Sequence, residues 1–423
     1  MYHKSFYYLW STQTIANMAD LLYTLALTIL VLDTSGSIIV TTLIPFITVI
    51  SRLISGFFAP LLINRFRLPA LLFISQMGQF VLFACLTVYL WFDQSGGPNL
   101  IFILIIVLLL SFLDGWSTPS RNALVPRLVD DSGLMKANTL ISTSDQIVQF
   151  AGWALGGILL SFAGPLNVIG VVAVCYGLAM TFTIFVTDPT ETPRTSVWSL
   201  RSRRKHDVAD SSDWQALKEG WVLLWESRRL RSLLIMDATE QFGGAVWAGS
   251  FMLVFVIDVL KQGERWWGYI NASYFGGSVL GGIVLIMLVK RLENKIVAAL
   301  LFGTFGYAAI TALYAVNTVP VIALLIMFLT GPMTEMSNIC RRTLAQRSVD
   351  PLLLPKVFSA QYTVLSLIYG ISLMAMSIVA DLFGVASIYL LAAAVSAIAV
   401  VVGWTNRRAF EPAPAAENIP LSN

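Results

Sequence analysis

The sequence is poor in charged residues. Only 12% of its 423 residues are Asp, Glu, Lys or Arg, whereas soluble globular domains carry about 25%. Apolar residues make up 57%, and the mean hydropathy is +0.76, which excludes a soluble globular, disordered, collagen-like or coiled-coil chain. The apolar residues form runs of about 20, the length that crosses a bilayer core as a helix. The predicted fold class is therefore an all-α membrane protein with many spans.

Histidine and cysteine are also scarce, which excludes several kinds of site. The two histidines are His3 and His206, so a histidine-based metal site is not expected. Cys85, Cys175 and Cys340 lie in apolar runs without metal-type spacing and are interpreted as small buried residues. The sequence has no glycine-rich phosphate loop and no nucleophile–base arrangement. We expect no cofactor, no metal and no enzymatic activity.

Twelve apolar segments are predicted to cross the membrane. The loops after the even-numbered spans, together with both termini, hold 24 of the 27 Lys and Arg residues, and the opposite loops hold two. The positive-inside rule then places both termini in the cytoplasm. The spans cover about 6–32, 38–63, 68–92, 99–120, 138–163, 166–187, 232–257, 266–289, 296–317, 319–340, 357–380 and 385–404.

A long polar stretch separates the sixth span from the seventh. Residues 1–188 are predicted to form an N-terminal six-helix bundle, and residues 232–405 a C-terminal one. The intervening 189–231 is predicted to be a cytoplasmic linker. Its second part, 214–229, has tryptophan and leucine at helical spacing, which predicts an amphipathic helix at the membrane surface. The tail, 406–423, has three prolines and no apolar run and is predicted to be disordered.

The two halves resemble each other at an offset of 220 residues. The match includes charged loop residues, which similarity of apolar composition alone would not align. Asp20 in the first span falls on Glu240 in the seventh. We interpret this as a duplication of a six-span unit. The identical pairs around the loop after the fourth span of each half include Arg121/Arg341, Leu124/Leu344, Arg127/Arg347, Val129/Val349, Asp130/Asp350 and Lys136/Lys356.

These features resemble the major facilitator superfamily of transporters, and more narrowly its drug:proton antiporter branch, which contains macrolide efflux proteins and enterobactin exporters. The resemblance covers nearly the whole chain. It implies two six-helix repeats in which spans 1, 4, 7 and 10 line a central cavity and spans 3, 6, 9 and 12 face lipid. The stretches that carry it are Asp20–Ser37, Pro119–Val129 with Leu134 and Ala137–Asn138, Leu217–Arg231, and Gln346–Val357.

The sequence departs from the family pattern at two places. After the second span, the family's Gly-x-x-x-Asp-Arg loop motif has Pro60 in place of the glycine and Asn64 in place of the aspartate, followed by Arg65. An asparagine cannot supply the charge that the aspartate contributes to gating. In the fifth span, the stretch Gly152–Gly157 lacks the proline of the antiporter pattern. Both departures bear on proton antiport rather than on the fold.

Seven ionisable residues lie within the predicted spans, where each costs roughly 2.5–3.5 kcal/mol on insertion scales and is a functional candidate. Spans 3, 6, 9 and 12 contain none. Asp20, Glu240, Asp237 and Arg52 are predicted to couple transport to protons or ions. Asp237 and Glu240 are one helical turn apart, so repulsion between them favours protonation of one. Two alternatives are a structural ion pair between Asp20 and Arg52 and a merely solvated Asp237.

The remaining candidates are assigned to the substrate cavity or to gating. Two of the cavity carboxylates, Asp114 and Glu335, have the alternative of pairing with Arg121 or Arg341 at a gate. Asp145 has the alternative of a helix–helix hydrogen bond, and the aromatic residues that of an interfacial position. The predicted cavity residues are Asp114, Asp145, Gln149, Trp116, Phe242, Trp247 and Glu335, and the predicted gating residues are Asn64, Arg65, Arg121 and Arg341.

The leading functional hypothesis is a secondary exporter of amphipathic organic compounds, of the drug, macrolide or siderophore type, driven by proton antiport. A second is a lysolipid carrier or lipid flippase without proton coupling. A third is a non-transporting sensor built on a transporter fold. The expected partners are a small amphipathic substrate, protons and membrane lipids, with no nucleic acid. We expect a monomer in the cell membrane.

Overall fold

The computed structural model describes residues 4–35, 38–92, 99–190, 213–247, 249–263 and 265–410, nearly all of them helical. The helices are α1 (Lys4–Ser35), α2 (Ile38–Arg65), α3 (Leu68–Phe92), α4 (Leu100–Leu128), α5 (Asp131–Ile184), α6 (Asp213–Glu226), α7 (Arg228–Gly244), α8 (Gly249–Asp258), α9 (Arg265–Glu293), α10 (Ile296–Ala315), α11 (Pro320–Gln346), α12 (Leu354–Phe383), α13 (Val385–Thr405) and α14 (Arg407–Phe410).

The all-α membrane architecture is confirmed. Within the described residues, ten helical segments are long and apolar enough to cross a bilayer, and α7 with α8, bent by 52°, makes eleven if the pair is one span. The 310 turn Ala245–Trp247 lies at the end of α7. α5 has 54 residues and breaks at Gly164, which divides it into the predicted fifth and sixth spans. Its second part, Phe162–Ile184, is one of the ten.

The backbone reproduces the 220-residue repeat. Gly164 has φ 75° and ψ 160°, and its repeat partner Gly384, between α12 and α13, has φ 85° and ψ 159°. A positive φ is accessible to glycine without steric cost, which explains why both halves place glycine at this sharp turn. The two six-helix halves therefore share a turn as well as loop charges.

Each half has an apolar core, and a third core lies between them at one end. Phe83 and Tyr176 stack in the N-terminal half, and Tyr314 and Tyr389 pack on Phe255 in the C-terminal half. A cluster shared by the halves includes the repeat partners Leu124 and Leu344. Between the halves, α2 packs on α12 and α5 packs on α9. These contacts leave a cavity in the centre of the bundle.

The structure has a helix where one was expected over 214–229. This helix, α6, ends at Glu226, where Ser227 caps α7, and it packs on α12 and α2. The disorder expected from residue 406 onward is wrong for α14, because the side chain of Phe410 is buried in the shared core. The rest of the predicted tail, and the linker over 191–212, lie outside the described residues.

The Gly277→Ala variant is expected to lose about 1–3 kcal/mol of stability through overpacking. A Cβ at Gly277 would lie 1.9 Å from the carbonyl oxygen of Phe328, so α9 and α11 would have to separate. Gly276 provides a matched control, because a Cβ there would meet nothing within 4 Å. Thermal unfolding of the solubilised protein measures the difference. Equal melting temperatures for the two alanine variants would contradict this packing.

Candidate substrate cavity

A cavity of about 700 Å³ lies between the two halves. The N-terminal half contributes side chains from α1, α4 and α5, and the C-terminal half from α7 to α12. This volume suits a drug-sized molecule. The six charged residues in the lining are Arg121, Asp145, Asp237, Glu240, Arg341 and Arg342, and the aromatic ones are Trp247, Tyr274, Phe275, Tyr307, Phe358 and Tyr362.

One arginine is shared by two carboxylates on the C-terminal side of the cavity. Arg341 Nε lies 2.7 Å from Asp237 Oδ1, and a terminal nitrogen of Arg341 lies 2.5 Å from Glu240 Oε2. The three side chains are between 4% and 16% exposed. Gln361 Nε2 also donates to Asp237, at 2.5 Å. Arg341, predicted to be a gating residue, therefore lies in the cavity lining as the centre of an ionic triad.

A second charged group in the cavity consists of Asp145 and two arginines from opposite halves, Arg121 and Arg342. Asp145 accepts hydrogen bonds from Gln13 Nε2 at 3.0 Å and Asn17 Nδ2 at 2.6 Å. Its electrostatic neighbours are Arg121 and Arg342. Neither guanidinium is in an ion pair within the described part of the chain, and both Nε atoms are buried without a hydrogen-bond partner there. Glu335 is a further electrostatic neighbour of Arg342.

The alternative of an ion pair between Arg52 and Asp20 is not what the structure shows. Arg52 lies 2.9 Å from Asp114 Oδ2 instead, and the two helices concerned, α2 and α4, pack directly on each other. Asp20 accepts a hydrogen bond from Tyr176 of α5. Arg52, Asp114 and Asp20 are absent from the cavity lining. Asp114 therefore does not pair with Arg121.

Glu335 lies between the halves and not in the cavity. Its side chain is buried, and it accepts hydrogen bonds from Ser142 and, at 2.6 Å, from Gln146 Nε2. Both donors are on α5 of the other half, so Glu335 joins α11 to α5. The alternative that Glu335 pairs with Arg341 is wrong, because Arg341 forms its ion pairs with Asp237 and Glu240.

Of the three aromatic residues predicted to line the cavity, one does so and two do not. Trp247 lines the cavity and donates through Nε1 to the hydroxyl of Tyr307 at 3.0 Å. Trp116 does not line it, because its side chain is buried in a small core with Ala59 and Leu71. The other two predicted side chains are also absent from the lining, namely Phe242, which packs on the C-terminal core, and the half-buried Gln149.

A reciprocal arginine contact joins the halves at the end of the bundle where α1 begins. Arg127 donates to the carbonyl oxygen of Pro351 at 2.8 and 3.1 Å, and Arg347 donates to that of Asp131 at 2.6 Å. Arg127 and Arg347 are repeat partners, and so are Asp131 and Pro351. The two contacts are thus one interaction repeated about the pseudo-twofold axis. We refer to these four residues as the latch.

Side-chain acids hold the latch arginines in place. Arg127 pairs with Asp188 at 2.6 Å, and Arg347 pairs with Glu293 at 2.5 Å. Among the described residues, the side-chain hydrogen bonds and ion pairs between the two transmembrane bundles join 122–146 to 335–351. The predicted gating residues Asn64 and Arg65 are exposed, and Arg121 and Arg341 line the cavity.

The sequence carries a signal for the latch, because the repeat aligns Arg127 with Arg347 just as it aligns Arg121 with Arg341. Arg342 was missed because it falls on Asn122 in the repeat and so has no charged counterpart, yet Arg342 donates to that asparagine across the halves. The amides of Asn17 and Gln361 gave no signal of their own, because neutral polar residues in spans are common.

Comparisons with known proteins agree with this architecture. Residues 9–351 match the family model described as Major Facilitator Superfamily. The chain is 30% identical over 408 residues to YfmI, an uncharacterized MFS-type transporter of Bacillus subtilis (strain 168), covering 95% of this chain and 96% of that one. The protein is therefore a multi-pass membrane protein that belongs to the Major Facilitator Superfamily of transporters.

Solved structures share the fold at low identity. A structure of the E. coli fucose:proton symporter FucP aligns with a TM-score of 0.76 at 13% identity, over 96% of this chain and 98% of that one. A bacterial homologue of the iron transporter ferroportin, in an outward-facing state, aligns with a TM-score of 0.73 at 15% identity, over 96% of this chain and 100% of that one. These likenesses show the fold alone.

Proposed function

We propose that this transporter is a secondary exporter of amphipathic organic compounds and that it exchanges its substrate for protons. The observation that carries the proposal is the ionic triad in the cavity wall. Arg341 can balance only one of the two carboxylates that contact it, Asp237 and Glu240. In a dry surrounding the second negative charge is disfavoured, and a proton neutralises it. The charge of the triad thus depends on whether the cavity holds water.

The loop charges suggest the orientation. By the positive-inside rule, the end that carries the latch and both termini faces the cytoplasm. In this conformation the halves are joined at that end, so the cavity is reached from the outside. After the substrate has left to the outside, protons from outside neutralise the triad, and their release toward the cytoplasm completes the exchange. Breaking and re-forming the latch would alternate the access.

The test is transport by the purified protein in proteoliposomes. A panel of drugs, siderophores and lysolipids is offered with and without an imposed pH gradient. We expect at least one compound to accumulate against its own gradient only when the pH gradient is present, and an uncoupler to abolish the accumulation. Addition of that compound should also move protons in vesicles without a gradient. Accumulation that persists in the presence of the uncoupler would contradict antiport.

One observation favours a second candidate, a lysolipid carrier without proton coupling. Asn64 replaces the aspartate of the family's loop motif and is exposed, so the charge attributed to gating in antiporters is missing. This candidate predicts lipid movement in the same vesicles without any pH gradient. A protein that moves lysolipid equally well with and without the gradient would favour it over the exporter.

A further inference from the structure

We propose that Arg121 and Arg342 form a binding subsite for the acidic group of an amphipathic organic anion. The inference rests on the proposed function, because it names the chemical class of the substrate. Both arginines lie in the cavity lining. They come from opposite halves, Arg121 from α4 and Arg342 from α11, so an anion held between them would contact both halves at once.

Neither guanidinium group is in an ion pair within the described residues. Arg342 donates to the amide oxygen of Asn122, which is uncharged, and its Nε is buried without a partner in the described part of the chain. Arg121 Nε is also buried without a hydrogen-bond partner among the described residues. Asp145, an electrostatic neighbour of both arginines, is in no ion pair with either in the described part of the chain and is oriented by two amide donors of α1. Glu335, a further electrostatic neighbour of Arg342, accepts its hydrogen bonds from α5. Buried charge without an ion-pair partner is costly, so an anion bound between the two guanidinium groups would stabilise both.

The adjacent lining supplies the amphipathic part of the site. Phe358 and Tyr362 of α12 line the same cavity, and the electrostatic neighbours of Tyr362 include Arg121. An aromatic or aliphatic body can therefore pack beside the acidic group. The planar guanidinium groups suit carboxylates and phosphates, which they bind with two parallel hydrogen bonds. A soluble organic acid and an acidic lysolipid share this chemistry.

Binding to the solubilised protein tests the subsite independently of transport. The probes are 2-naphthoate, its neutral amide, the cation 2-naphthylmethylamine and 1-oleoyl-lysophosphatidate. We expect the naphthoate to raise the melting temperature of the protein, as a ligand of the folded state does, and the amide and amine to have little effect. Lysophosphatidate binding with no response to naphthoate would assign the subsite to lipid, and the reverse to a soluble acid.

Variants locate the binding. Arg121→Gln and Arg342→Gln should each weaken naphthoate binding at least tenfold while the amide binds as before, and Arg121→Lys should retain part of the affinity. Arg228→Gln is the matched control, because Arg228 bonds Asn406 outside the cavity. Unchanged anion affinity in both glutamine variants, or stronger binding of the amine than of the naphthoate by the wild type, would overturn the proposal.

Failure of this proposal and failure of the proposed function give different results. Anion-selective binding without gradient-driven transport would retain the subsite and reject proton coupling. Gradient-driven export of a cation, with no binding of either acidic probe, would retain the exporter and reject the subsite.

Discussion

Replacing both latch arginines with alanine is expected to open the latched end of the bundle. Arg127→Ala and Arg347→Ala remove the charge-assisted hydrogen bonds to Pro351 and Asp131 across the halves. Hydrogen bonds to charged groups contribute about 1.5–3 kcal/mol each, and a shift of about 2 kcal/mol changes a two-state population roughly thirtyfold. The contact is present only when this end is joined, so its loss shifts the population toward the other state.

Labelling of a single cysteine measures the shift. Ala345→Cys, in a chain whose three native cysteines are replaced, lies in the cavity lining and is buried at the latched end. A membrane-impermeant maleimide supplied from that end should label it at least tenfold faster in the double variant. Either single variant should give a smaller increase, because the reciprocal contact remains.

The control is an arginine outside the interface between the halves. Arg228→Ala removes a 3.0 Å hydrogen bond to Asn406 Oδ1, and both residues belong to the C-terminal half. Its labelling rate should equal that of the wild-type background. Equal rates in the Arg127 and Arg347 double variant would mean that the latch does not hold this end together.

The architecture could be predicted from the sequence because a bilayer permits few kinds of membrane-spanning structure. Apolar runs of about 20 residues form spanning helices, and charge-bearing loops align the two halves. The same reasoning placed Glu240 and Asp237 on one helix face, and both line the cavity. Such inferences depend on distances along one helix, which the sequence determines.

Pairing between helices was predicted less well, because it depends on rotation about each helix axis. Arg52 had two acids on neighbouring helices as possible partners, and depth alone favoured Asp20. The structure turns Arg52 toward Asp114, whereas Tyr176 donates to Asp20. Trp116 illustrates the same limit, because its helix lines the cavity while its own side chain faces α2 and α3.

Glu240→Gln is expected to abolish gradient-driven accumulation while substrate exchange without a gradient survives. The substitution removes the excess negative charge of the triad and leaves Asp237 paired with Arg341 at 2.7 Å. The remaining pair of Asp237 and Arg341 has no net charge, so loss of water from the cavity does not favour its protonation. One pH unit supplies about 1.4 kcal/mol per proton, or tenfold accumulation, and this factor should disappear.

Folding should be preserved, because the change is isosteric and Arg341 keeps a carboxylate partner. Removing the arginine instead would leave two buried acids unpaired and is expected to cost about 3–5 kcal/mol. Glu226→Gln on the exposed part of α6 is the matched control and should accumulate substrate as the wild type does.

The Asp237→Asn variant distinguishes a proton site that both acids of the triad share from a site on Glu240 alone. If the excess charge belongs to the triad as a whole, this variant should lose coupling like Glu240→Gln, because each leaves one acid balanced by Arg341. Asp20→Asn tests the competing acid in α1, which lies outside the cavity lining and is bonded to Tyr176. Coupling that survives both triad variants but is lost in Asp20→Asn would move the proton site to α1. Only a triad with one cation for two acids predicts the opposite pattern, in which either triad variant is uncoupled and Asp20→Asn still accumulates substrate.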